Sequence, residues 1–319
     1  MHPQLITAGL TDIGKRRDSN QDNFLVADLT RSLQVANSSL PLSPGSRVYG
    51  NPLSRLILVA DGMGGHQAGA RASAQAIESM VRQLLETQDW FDISDLEQMD
   101  QFALHIDRLF RSTHRSLEEA SRSDPSLKGM GTTLTLVYVS WPRMIVVHAG
   151  DSRCYLLRNN QFKALTKDHT IASQLVSRGE LREEDAASSQ WGNMLWNVLG
   201  GGGVDVRPEI CTVDLREEDW ILVCTDGLNK HLSDEEIYQK LIGGGDPHYI
   251  ANDLIESANA KGGTDNITVV LTRVARVVSD STSEFTKPTT TIRERGSQEP
   301  STDILTPTTT IDSPKPTST

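Results

Sequence analysis

The chain has 319 residues and a mass of 35.1 kDa, enough for one large domain or two small ones and for a core that needs no staples. Apolar residues make up 37% and aromatics 5%, and 31 Lys and Arg face 42 Asp and Glu for a net charge of −11; this excludes a wholly disordered chain and a bulk nucleic-acid binder, whose phosphates the surface would repel. Three cysteines (Cys154, Cys211 and Cys224) without CxxC spacing exclude a disulfide framework and a structural zinc site, and no apolar run approaches the roughly 18 residues of a membrane-spanning helix.

Taken in chain order, the first 19 residues hold no charged segment followed by an apolar one. With the cysteine pattern, this sets the expectation of a reducing, cytoplasmic location. Val-, Ile- and Leu-rich runs predict strands at Phe24–Ala27 and Leu56–Ala60. Between them Thr30–Arg55, rich in Pro, Gly, Ser and Asn, reads as a long surface loop. Helical periodicity predicts helices over 67–88 and 95–122. Strands follow at Thr133–Val139, Met144–His148 and Cys154–Leu157, the last leading through Asn159-Asn160 as a hairpin turn. The GGGG at 200–203 and the GGG at 243–245 read as flexible loops. A strand at Trp220–Cys224, helices over 233–242 and 247–260 and a strand at Ile267–Leu271 complete the ordered part; Ser233 and Glu236 form a capping-box signature. From Asp280 onward 12 Thr, 6 Ser and 5 Pro crowd into 40 residues, with PTTTI at 288–292 and again at 307–311. That composition predicts a disordered tail, leaving 1–279 as the folded domain. Strict βαβα alternation is absent, which favours an antiparallel sheet or sandwich covered by helices over a doubly wound parallel sheet.

The aspartates carry the chemical signal. Asp61, Asp151 and Asp226 each end an apolar run, and Asp22 and Asp265 each precede one. A lone strand-end aspartate is commonly a turn former or cap. Five of them, four with Gly within two residues, instead suggest carboxylates gathered at one sheet edge. Cations must then separate the charges, and oxygen-only ligands select Mg²⁺ or Mn²⁺. Arg17, five residues before Asp22, could fork onto a phosphate held there, or could be a solvated basic turn with Lys15 and Arg16. No GxSxG or GxxxxGK[ST] is present, and the histidines show no HExxH, so His66, His148, His169 and His231 read as structural or surface residues.

Seven ordered motifs make the chain resemble the metal-dependent Ser/Thr protein phosphatases of the type 2C (PPM) family in their bacterial form. They are RDSNQD (17–22), VADGMGGH (59–66), GMGTTL (129–134), HAGDSRCY (148–155), TKDHT (166–170), CTDGL (224–228) and GGTDNIT (262–268). The resemblance implies an α+β fold, a sandwich of two antiparallel β-sheets flanked by α-helices. It implies that Asp61 bridges two Mn²⁺ or Mg²⁺ ions, with the Gly62 carbonyl on the second and Asp226 and Asp265 on the first. A third, weaker ion would sit on Asp151 and Asp226. Arg17 would bind the substrate phosphate, Asp22 would orient metal-bound water, and a bridging hydroxide would attack phosphorus. Thr132 and Thr133 would support the site. The chain departs from the family at Met63, where eukaryotic members carry a proposed general-acid His; His66 and His169 are then weak candidates. It also departs at Gln21, where many members have Glu, and at Trp196-Asn-Val-Leu-Gly200, where bacterial members usually have Thr-Arg-Ala-Leu-Gly after a flap at about residues 171–196. The implied partners are phosphoproteins and a Ser/Thr kinase, with no nucleic acid and no membrane, and the expected state is a monomer. The alternatives are a phosphoprotein-binding regulatory module of the same fold and a two-metal hydrolase of small phosphate esters.

Overall fold

Alternation decides which way each strand faces. Along Leu56–Ala60 the even-numbered residues pack in one cluster and Ile57 and Val59 in another, all nearly inaccessible to water. A strand hydrophobic on both faces needs a partner layer on each side. The computed structural model describes residues 3–276, apart from 37, 38, 40, 42–45, 87–95, 187, 203 and 204.

The elements in order are β1 (Gln4–Asp12), β2 (Asp22–Gln34), β3 (Arg47–Met63), α1 (His66–Glu86), α2 (Leu96–Ser123), β4 (Gly131–Thr132), β5 (Leu134–Ser140), β6 (Arg143–Ala149), β7 (Arg153–Arg158) and β8 (Gln161–Ala164). Then come α3 (Ile171–Ser177), α4 (Glu183–Ala186), β9 (Leu199–Gly200), β10 (Glu209–Asp214), β11 (Trp220–Cys224), α5 (Asp226–Asn229), α6 (Asp234–Ile242), α7 (Pro247–Ala260) and β12 (Ile267–Ala275). One sheet runs β1-β12-β11-β7-β8; the other runs β10-β6-β5-β3-β4-β9, with β2 beside β3. The recorded ladders are antiparallel.

Three apolar layers hold the sandwich. Between the sheets, Ile57, Val59, Val137 and Val146 meet Cys154, Ile221, Val223 and Val270. Outside one sheet, Leu56, Leu58, Leu136 and Val147 meet Ala72, Met80, Ile106 and Phe110 of α1 and α2. Outside the other, Tyr155, Leu222, Val269 and Leu271 meet Leu228, Ile237, Leu254 and Ile255 of α5, α6 and α7. The four-layer order is therefore helix, sheet, sheet, helix. The three cysteines are free, two of them buried, and serve as small packing residues.

The predicted helices and central strands form close to their expected bounds, and Asn159 and Asn160 take φ values of 49° and 62° in the β7–β8 turn. The capping box at Ser233 and Glu236 forms in full. Two expectations are corrected. The loop expected over Thr30–Arg55 is largely strand, since β2 runs to Gln34 and β3 begins at Arg47; ladder bonds are made by the main chain, so loop-like side chains did not prevent pairing. Between the described ends of the two strands, Val35 N donates to Ser46 O at 2.9 Å. Gly200, expected in a flexible loop, pairs with Gly131 as part of β9. The segment 280–319 lies outside the described residues.

Candidate active site

The predicted carboxylates leave the sandwich at strand ends. Asp61 lies near the end of β3, Asp151 on the crossover from β6 to β7, Asp226 at the start of α5 after β11, and Asp265 just before β12. Threonines fix Asp61. Its N–H donates to Thr133 Oγ1 at 2.9 Å, and its carbonyl accepts from Thr133 N at 2.9 Å and Thr132 Oγ1 at 2.8 Å. With its main chain clamped on both sides, the carboxylate alone is left to project.

Two glycines are dictated by the crowding. A Cβ on Gly62 would lie 2.0 Å from the Gly69 carbonyl oxygen. Gly150 has φ +126°, and a Cβ there would lie 2.4 Å from Thr133 Cγ2. Gly150 in turn anchors the turn that carries Asp151: its N–H donates to His169 Nδ1 at 3.1 Å and its carbonyl accepts from His169 N at 2.7 Å.

Carboxylate oxygens of Asp61, Asp151 and Asp226 all lie within 4.8 Å of one another. Asp265 lines the same cleft, of about 390 Å³, together with Arg17, Gly62 and Lys230. Its two oxygens are held by the Arg17 guanidinium fork at 2.7 and 2.9 Å, and one also accepts from Lys230 Nζ at 2.7 Å. Arg17 is thus turned onto the site rather than spread over a basic turn. Asp22 sits behind the cleft, buried, where Oδ2 accepts from Thr225 Oγ1 at 2.8 Å and Thr268 Oγ1 at 2.7 Å.

The electrostatics follow from the crowding. Burial, with Asp22, Asp226 and Asp151 nearby, holds the Asp61 carboxyl well above the usual carboxylate range. Burial first and then Asp226 push Asp151 up to about 8. Burial pushes Asp22 up to about 7 against its two threonine hydrogen bonds. Asp226 is raised by burial, opposed by Lys230. Asp265 ends up lowered: burial pulls upward, and the hydrogen bonds from Arg17 and Lys230 together outweigh it.

Three gathered carboxylates raised in this way are short of positive charge. One oxygen each of Asp22 and Asp226 is buried without a hydrogen-bond partner, and a bound cation is the usual remedy for such a donor set. All donors are oxygens, which suits hard divalent ions. The residues present therefore fit the metal that the resemblance implies.

Reading the sequence did not find two features. Lys230, four residues after Asp226, reaches two of the carboxylates; only the opposite-charge spacing of four hinted at it. Asn197, 3% exposed, donates to His169 Nδ1 and to the Arg207 carbonyl and accepts from Arg207 N. It ties the segment after the flap to the histidine that holds Gly150. His169 is not among the residues lining the cleft; its Nε2 lies 3.4 Å from Glu209, and its Nδ1 braces the Gly150 turn. The His66 side chain lies outside the described residues.

A family model, Protein phosphatase 2C, matches residues 49–247. The serine/threonine phosphatase stp of Listeria monocytogenes serotype 4b is 32% identical over 216 residues, 68% of this chain and 83% of that protein. The solved serine/threonine phosphatase of S. agalactiae is 33% identical with a TM-score of 0.69, covering 85% of this chain and 100% of that one. The catalytic domain of the phosphatase PstP, solved with two manganese ions, is 30% identical with a TM-score of 0.64, covering 85% of this chain and 99% of that one.

Proposed function

The chain belongs to the protein phosphatase 2C family and is a protein-serine/threonine phosphatase acting on phosphoproteins; on that premise we propose that the Asp61–Asp151–Asp226 cleft is where phosphoserine and phosphothreonine are hydrolysed. The observation that carries this is the three carboxylates within 4.8 Å, beside a guanidinium at the cleft mouth. Asp61, the Gly62 carbonyl, Asp226 and Asp265 would hold two Mn²⁺ or Mg²⁺ ions, and Asp151 with Asp226 a third, weaker one. Two such ions, when bound, make water a competent nucleophile at neutral pH and neutralise phosphoryl charge. The chain's own residues do the rest. Arg17 exchanges its fork from Asp265 to the substrate phosphate, whose paired oxygens match it. Asp22, fixed by Thr225 and Thr268, keeps one oxygen unpartnered, and in this reading that oxygen is the acceptor that orients water. The Thr132–Thr133 clamp keeps Asp61 from drifting as charge changes around it.

Residues 1–279 are the catalytic domain in this reading, and 280–319 a Thr-rich tail phosphorylated by the Ser/Thr kinase that the enzyme opposes. Free cysteines support a reducing, cytoplasmic location and the net charge of −11 a protein that avoids nucleic acid; the chain acts as a monomer in this reading. Among the described residues no helix is long and apolar enough to cross a membrane.

The test is release of phosphate from a phosphothreonine peptide by the purified full chain, with Mn²⁺, with Mg²⁺ and with chelator, beside Asp226→Ala. Metal-dependent release lost in the variant is expected. Equal release in chelator, or full activity in Asp226→Ala, overturns the assignment of the cleft.

A further inference from the structure

Lys230 stands where a cation belongs. It is the C-cap of α5, and its backbone N–H donates to the Asp226 carbonyl at 2.8 Å, so its stem is rooted one turn from Asp226. Its ammonium lies 2.6 Å from Asp226 Oδ2 and 2.7 Å from Asp265 Oδ2, with the side chain 31% exposed. An ordinary i,i+4 pair on a helix surface joins two solvated side chains and contributes little. Here one ammonium joins carboxylates from two different elements, α5 and the approach to β12, inside the cleft. Arg17 does not duplicate it, because the guanidinium hydrogen bonds recorded at the site go to Asp265.

We propose that Lys230 is a tethered counter-ion that holds Asp226 and Asp265 together in the metal-free enzyme and competes for both with an entering divalent cation, so that it sets the metal affinity of the site. The inference rests on the metal-binding reading of the cleft given above. An ammonium is a compact point charge on a four-carbon stem. It can neutralise the carboxylates when no metal is present, then swing out while its root stays on α5. A cation drawn to the same carboxylates competes with each such charge-assisted hydrogen bond for charge and space. The lysine makes Lys230 a positioning residue: it acts through the ligands and touches no reacting atom in this role.

Two effects of opposite sign follow when the charge is removed. The metal-free protein loses the cation that balances its carboxylates, and the metal gains a site it no longer has to clear. A merely structural role gives the first effect and not the second. The experiment is calorimetric titration of Mn²⁺ into chelator-stripped full chain, for wild type, Lys230→Met and Lys230→Arg, with thermal melts of each stripped protein. Lys230→Met should bind Mn²⁺ about ten- to a hundredfold more tightly than wild type while melting at a lower temperature without metal. Lys230→Arg, which keeps the charge, should bind within about threefold of wild type. Affinity of Lys230→Met that is weaker than wild type, or within about twofold of it, overturns the proposal. If Lys230→Met does not fold without metal, the rate at which excess chelator strips the Mn²⁺-loaded proteins decides the matter. Stripping slowed by a similar factor supports it, and equal or faster stripping overturns it. Wild type that takes up no Mn²⁺ overturns the metal reading and this inference together, whereas uptake by wild type with no change in the variant overturns this inference alone.

Discussion

Replacing Asp61 by Asn should make the metal-free protein more stable, although it disables the site. Oxygens of Asp61, Asp151 and Asp226 lie within 4.8 Å of one another. At that separation and an effective dielectric of about 20, a pair of unit charges repels by about 3.5 kcal/mol. Asn keeps the shape of Asp and removes two of the three pairs. Protonation limits the relief, because a carboxyl kept protonated costs about 1.4 kcal/mol for each pH unit above its unfolded value. At pH 8 the gain should therefore be about 2–5 kcal/mol. The folded pKa of Asp61 lies above its unfolded value, so its contribution is fully present below about pH 4 and is lost as pH rises through the folded value. Variant and wild type should then converge near pH 4 in chelator and separate toward pH 8, where Asp151, pushed to about 8, and Asp22, pushed to about 7, also ionise. His148, buried and pushed down to about 3, gives both proteins the opposite slope below about pH 6.5 and cancels in the difference. Saturating Mn²⁺ should invert the order, since ligand at a thousand times Kd stabilises by about 4 kcal/mol only a protein that binds it. Urea unfolding followed by tryptophan fluorescence at pH 4 and pH 8, with chelator and with Mn²⁺, reads all of this. An Asp61→Asn protein less stable than wild type in chelator at pH 8 would refute the account of the cluster as electrostatically strained.

Three further outcomes are expected. Arg17→Ala should lower kcat/KM for a phosphopeptide by about a hundredfold while leaving the melting temperature nearly unchanged, because the side chain is 47% exposed; steady-state kinetics and a thermal melt check it. Gly150→Ala should cost about 1–3 kcal/mol in urea unfolding and lower kcat disproportionately, because the new methyl pushes on Thr133, which holds Asp61. Asp219→Ala should cost about 3–5 kcal/mol with unchanged kinetic constants: Asp219 is 1% exposed, accepts the Arg158 fork at 2.8 and 2.6 Å and Arg216 N at 2.7 Å, and lies at the opposite end of β11 from Asp226.

Strand-end aspartates could be read because β-branched runs reveal buried strands, and a following or preceding Gly marks where the chain leaves the sheet. That reading reached Asp61, Asp151, Asp226 and Asp265 and put them at one edge. It missed β1, whose Thr7 and Gly9 are half buried and Thr11 exposed, and which is held to β12 partly by Thr7–Thr272 and Thr11–Thr268 hydroxyl contacts of 3.0 and 2.8 Å. It read the region after Thr30 as loop because composition reports turn-forming side chains and cannot report main-chain ladders. The roles of Lys230 and Asn197 went unassigned for another reason. Their roles depend on partners 35 residues away for Lys230 and 28 for Asn197, and no local pattern carries that distance.

The site's geometry is divided between the two sheets. Asp61 rides on β3 of one sheet; Asp226 follows β11 and Asp265 precedes β12 of the other; Asp151 sits on the chain that crosses between them. The distance between the gathered carboxylate oxygens is thus a distance between sheets, set by the apolar layer where Ile57 and Val59 meet Ile221, Val223 and Val270. Close-packed interiors transmit strain rather than absorb it, so that layer fixes the carboxylates against their own repulsion. Asp22 adds a polar tie across the same gap. It belongs to β2, beside β3, yet hydrogen bonds to Thr268 on β12 of the opposite sheet and to Thr225 just past the end of β11. The buried, partly unsatisfied carboxylate that looks costly as a core residue is therefore placed where it joins the two halves of the site and still leaves one oxygen free.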